Sequence, residues 1–176
     1  MMTNILDENN LRLDFTACNP IKPVERFDIH TDNPYGMSAV DFFVETVDCL
    51  YFVEVKDYQH PKATPERRKK DYEKLVAAIR AKDKAVLTME LGQKIKDSLL
   101  RKYSLGESIT KNAVYLLLLN SDELQSRERE KLQDKISGHI PTGLNDSRFC
   151  AFTKITFALV NPEQIKAYGI TCTAKS

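Results

Sequence analysis

The chain lacks any apolar stretch long enough to cross a bilayer. Its longest such runs, Val114–Leu119 among them, fall far short of the roughly 20 residues that a spanning helix needs. The polar opening Met1–Asn10 has no apolar signal-peptide core. Cysteine is sparse: Cys18, Cys49, Cys150 and Cys172 are widely separated and form no C-x-x-C pair, which argues against a disulfide framework or a zinc finger. A cytoplasmic, non-membrane protein with reduced thiols is therefore expected. The six glycines compose neither G-x-x-x-x-G-K-[ST] nor G-x-G-x-x-G, which excludes a nucleotide-driven motor. No excess of either charge exists, with 26 Lys and Arg against 25 Asp and Glu. What remains is the composition of a globular domain: 176 residues, 42% hydrophobic and 29% charged, without repeats. A chain of this length buries roughly 70% of its unfolded surface, so a single domain over residues 1–176 needs no structural metal.

The charge balance is a cancellation. Residues 1–60 carry 4 basic and 11 acidic side chains, whereas residues 61–84 carry 9 basic and 4 acidic. Within that basic stretch lie Lys62 and the run Arg67, Arg68, Lys69 and Lys70. A cluster of this kind is either a solvated helix face or a surface for phosphates, and in the second case its affinity would depend on salt.

Local pattern gives the order of elements. A short strand is expected at Leu11–Phe15, and Val24–Ile29 alternates imperfectly before turn chemistry at Thr31–Gly36. Val40–Val47 and Leu50–Tyr58 are rich in Val, Phe and Tyr and read as a β-hairpin that turns between Thr46 and Cys49. After Pro61 and Pro65, the spacing of Tyr72, Leu75, Val76 and Ile79 predicts an amphipathic helix over 66–81. A second helix is expected over 89–103, closed near Gly106. The continuous apolar run 113–120 reads as a strand covered on both faces. A third helix capped by Ser121 or Asp122 and ended by Gly138 and Pro141 follows, then strand-like residues 149–160. This order implies an α/β domain with a central mixed sheet flanked by helices.

The hairpin holds the residues with chemistry. Strand alternation puts Glu54 and Lys56 on one face, and cross-strand spacing of roughly 5 Å brings Asp41 to the same patch. Two carboxylates and a backbone carbonyl suit a hard divalent ion, and a lysine beside them can orient water and stabilise charge on a phosphate. Lys56 is the only lysine in the chain with an acid two positions before it, and it lies in an apolar strand where charges are depleted. The alternative is a Lys/Glu pair on the wet face of an ordinary hairpin, contributing about 0.2–1 kcal/mol.

Asp41, Glu54 and Lys56 resemble the core of the PD-(D/E)xK nuclease superfamily, an acid on one strand followed by acid-x-Lys on the next. The resemblance spans about residues 24–120, with 121–176 as an extension, and implies a restriction-endonuclease-like fold. It implies that Asp41, Glu54 and the Val55 carbonyl hold Mg²⁺ or Mn²⁺, that Lys56 serves the attacking water, and that Arg67–Lys70 lie near a nucleic-acid backbone. DNA stands ahead of RNA as substrate, and a two-fold homodimer is compatible with the family. Gln59 resembles a polar position of some members, and His60 lies four residues after the lysine, where it could contact phosphate. No proline precedes Asp41 directly, and the region before the hairpin reads as extended, so Glu8 and Glu25 stand where members often carry another acid on a helix. The alternative function is a nuclease-like module without chemistry that binds nucleic acid or protein.

Overall fold

The computed structural model describes residues 4–27, 37–82, 85–107, 109–142 and 154–175. The turn expected at Thr31–Gly36, residues 28–29 of the preceding strand and residues 149–153 of the last lie outside the described residues. Among the described residues, eight strands and three α-helices follow in the order β1 (Ile5–Glu8), β2 (Leu11–Asp14), β3 (Glu25–Arg26), β4 (Phe42–Glu45), β5 (Cys49–Asp57), α1 (Pro65–Arg80), α2 (Val86–Ser104), β6 (Asn112–Asn120), α3 (Ser126–Ser137), β7 (Ile155–Val160) and β8 (Thr171–Ala174).

The main sheet is mixed, ordered β3-β4-β5-β6-β7. β4 and β5 are antiparallel with Phe42 opposite Val53 and Glu45 opposite Leu50, and their turn falls at Thr46–Cys49 as the sequence predicts. β5, β6 and β7 run parallel. β6 lies inside the sheet between β5 and β7 and is covered on both faces, which explains its uninterrupted apolar sequence: Ala113, Tyr115, Leu117 and Leu119 face one side, and Leu116 and Leu118 the other.

The two faces are covered differently. Helices α1, α2 and α3 pack on one through Leu75, Leu91, Ile95, Leu99, Leu132 and Ile136. The second is covered not by helices but by a small antiparallel sheet ordered β1-β2-β8, whose Leu11, Leu13 and Cys172 meet Phe42, Val53, Val55, Leu116 and Leu118. Its strands are four residues each; β2 falls on the strand expected at Leu11–Phe15, whereas β1 and β8 are too short for alternation to mark them. Asn9, in the left-handed region at φ 54°, turns β1 into β2.

Helix ends follow local chemistry. Thr64 caps α1 through its Oγ1, which accepts from Arg67 N, and Pro65 occupies the first turn. α3 begins at Ser126 rather than beside Ser121 or Asp122, because Gln125 is its N-cap and Gln125 N donates to the Glu128 carboxylate. Gly169, at φ +73°, closes the turn 164–168 where an added Cβ would lie 2.9 Å from Ala17 O. Gly92 lets α2 approach the residues after α3, since a Cβ there would meet His139 Cβ at 2.4 Å.

One ammonium is fully inside. Lys102 is 1% exposed, and its Nζ donates to both Glu25 oxygens at 2.7 Å and to Glu107 at 3.0 Å. The ammonium also lies 3.8 Å from the Phe43 ring centroid. Among the described residues no helix is long and apolar enough to cross a membrane.

Candidate active site

Asp41 sits at the bend just before β4, not within the strand, and its position follows from hydrogen bonding on both sides. Asp41 O accepts from Phe27 N, and Oδ2 accepts from Val55 N at 2.7 Å. One step beyond the paired segment, the β4–β5 register sets Asp41 opposite Glu54. The sequence expectation that hairpin geometry brings these two acids together therefore holds at the level of strand register.

Glu54 is fully buried on the helix face of β5. Its Oε1 lies 2.6 Å from Lys56 Nζ and 2.7 Å from Lys94 Nζ, and Lys94 also donates to Oε2 at 2.7 Å. Burial, and then the like charge of Asp41, push the Glu54 carboxyl up against the pull of the two lysines. For Lys56, burial favours the neutral form, but Glu54 and Asp41 outweigh it and hold the amine above its ordinary value. Lys56 is thus an ammonium at neutral pH. It can donate to water or to a phosphate oxygen, but it cannot take a proton.

Helix α2 organises both acids. Asp97 Oδ2 accepts from Ser38 N at 2.7 Å, and Ser98 Oγ accepts from Val40 N at 2.9 Å, which fixes the backbone leading into Asp41. Lys94, one turn earlier, reaches Glu54. The sequence reading missed Lys94. Its signal was the recurrence of Lys94, Ser98 and Lys102 at i, i+4 and i+8 beside the buried Leu91–Ile95–Leu99 stripe, where polar groups need partners.

A cleft of about 400 Å³ opens beside Lys56, lined by Asn9, the strand end Val55–Tyr58, His60, Lys62, Arg67 and Asp71. Burial raises the Tyr58 hydroxyl while Lys56 opposes it. His60 Nδ1 accepts from Lys62 N, which assigns the proton of the neutral ring to Nε2. The basic run divides. Arg67 lines the cleft, Lys69 and Lys70 are exposed along α1, and Arg68 is half-buried, with Nη2 donating to His60 O. Gln59 N donates to Asp57 Oδ1, closing the strand end.

Glu25 is not brought to this patch, because Lys102 holds it in a separate buried cluster. Glu8 is: half-buried at the end of β1 and paired with Arg26 at 2.6 Å, its carboxyl is pushed up by burial and then by Asp41, and it feels both Lys56 and Lys94. Among the described residues no cluster of three or more His, Cys, Asp or Glu could hold a metal ion. The oxygen donors that this patch offers a divalent ion are the carboxylates of Asp41 and Glu54, of the kind magnesium accepts together with water.

A larger hollow of about 620 Å³ at the ends of β6 and β7 is the weaker candidate. Two of its polar side chains are committed: Arg129 donates to the carbonyls of Leu119, Ser121 and Leu124, and Gln133 Oε1 accepts from Leu159 N. Comparison of the chain with family models, with curated proteins and with solved structures finds no match.

Proposed function

We propose that the chain is a metal-dependent nuclease with a restriction-endonuclease-like core, hydrolysing phosphodiester bonds of DNA, with RNA as the second choice of substrate. The observation that carries this reading is the placing of Asp41 opposite buried Glu54 by strand register and the pairing of Glu54 with Lys56, whose ammonium lines a cleft edged by Lys62 and Arg67. Asp41, Glu54 and the Val55 carbonyl would hold Mg²⁺ or Mn²⁺, which when bound lowers the pKa of a coordinated water and screens charge on the phosphate. Lys56, fixed as an ammonium by Glu54, aligns water and donates to a non-bridging phosphate oxygen as charge builds there. Arg67, with the exposed Lys69 and Lys70, supplies sequence-independent contacts to the backbone. His60 Nε2–H is a further donor on the cleft wall.

A second reading, a nucleic-acid-binding module without chemistry, draws on one specific observation. Two ammonium groups already counter the charge of Glu54, both within 2.7 Å of Oε1. Plasmid, single-stranded DNA and RNA incubated with Mg²⁺ or Mn²⁺ separate the two. Cleavage that stops with chelator and is lost in Lys56→Ala and Asp41→Asn supports the nuclease. Salt-dependent binding without cleavage of any of the three favours the module.

A further inference from the structure

We propose that Lys94 is the resident counter-cation of Glu54 and that a divalent ion binds this site only by displacing its ammonium. This rests on the nuclease reading above. Glu54 is 0% exposed, so its carboxylate must be compensated within the protein, and Lys94 does so most completely. Its Nζ is 2.7 Å from both Oε1 and Oε2, whereas Lys56 is paired with Oε1 alone.

The two lysines also differ in surroundings. The Lys56 side chain is 33% exposed at the cleft, where substrate would arrive, and that of Lys94 is 12% exposed beneath the helix face. Water therefore screens Lys94 less. A metal ion needs a Glu54 oxygen at about 2.1 Å, and an ammonium 2.7 Å from both oxygens, hydrogen-bonded to Oε2, stands where the ion would lie. An ion of double charge about 4 Å from an ammonium loses about thirtyfold in affinity even with the dielectric constant of water. Glu8, within electrostatic reach of Lys94, gives the displaced ammonium another carboxylate to face.

Mn²⁺ titration of the full chain, followed by calorimetry and by the electron paramagnetic resonance of free Mn²⁺, tests this. Lys94→Gln and the shape-matched Lys94→Met should bind Mn²⁺ at least about tenfold more tightly than the parent. Lys94→Arg, which keeps the charge, should stay within about threefold. Mn²⁺ should also raise the unfolding midpoint of the neutral variants more than that of the parent, by mass action. A purely structural ion pair predicts destabilisation with unchanged Mn²⁺ affinity, and that result overturns the proposal while leaving the nuclease reading intact. If neither parent nor variants bind Mn²⁺, the metal site itself fails and the proposal falls with it. Should the neutral variants not fold, Mg²⁺ titration of the parent decides: the Lys94 ammonium resonance, assigned against Lys94→Arg, must move, and an unmoved resonance overturns displacement.

Discussion

Asp41 contributes both a hydrogen bond and a charge, and substitution can separate them. Its Oδ2 accepts a 2.7 Å hydrogen bond from the amide of Val55, a residue only 2% exposed, and its charge helps push the Glu54 carboxyl up. Asp41→Asn keeps an oxygen for the Val55 amide and loses the charge. Exchanging a charge-assisted for a neutral hydrogen bond costs about 1 kcal/mol, part of which returns because Glu54 loses a like-charged neighbour. Asp41→Ala strands the buried amide, a cost of about 1–3 kcal/mol. Guanidinium unfolding should therefore place the Asn variant within about 1 kcal/mol of the parent and the Ala variant below both. Carboxyl carbon NMR should show the Glu54 titration moving down in each, since the like charge is gone from each. Both should lose Mn²⁺ binding and cleavage. Equal stability of the Ala and Asn variants would refute the hydrogen-bond account, and an Asn variant that cuts like the parent would refute the site.

Three further outcomes follow from the packing. Lys102→Met removes a buried ammonium whose partners Glu25 and Glu107 are more than a third exposed and rehydrate, so it should cost no more than about 1 kcal/mol; the double change Glu25→Gln, Glu107→Gln leaves that ammonium unpaired and should cost about 3–5 kcal/mol in the same unfolding assay. Burial pushes the Cys18 and Cys172 thiols up to about 11, so mapped thiol labelling at pH 8 should be about a hundredfold slower than in the unfolded chain. As these folded values exceed the ordinary 9.0, the native state holds more protons between about pH 9 and 11, and stability should fall as pH rises through that window. Gly92→Ala should destabilise by about 1–3 kcal/mol in thermal unfolding, because the new methyl meets His139 Cβ at 2.4 Å.

The hairpin, the three helices and β6 were legible because each is long enough to show its period or its apolar run. α1 spans 65–80 against the 66–81 expected, and α2 extends the expected 89–103 to 86–104. The β1-β2-β8 sheet was not legible as such: only Leu11–Asp14 carried a strand signal, and a pairing between β2 and β8 leaves no local trace. The same limit applies to the site. Asp41, Glu54 and Lys56 lie close in sequence on one hairpin, so strand geometry alone could juxtapose them. Lys94 and Glu8 reach the patch from a helix and from another sheet. A lysine in a helix rich in charges reads as solvated until the depth of its acidic partner is known.

The pairing of β2 with β8 bears on assembly order. The turn between β1 and β2 brings Asn9 to the wall of the cleft, yet β2 gains its second neighbour only from a strand encoded far downstream, with Leu11 opposite Ala174 and Asp14 opposite Thr171. Closing so long a loop is slow relative to forming the local hairpin and helices. During synthesis, Asp41, Glu54 and Lys56 would be joined on their hairpin well before that wall is locked, so the patch would pass through an interval in which one side stands open.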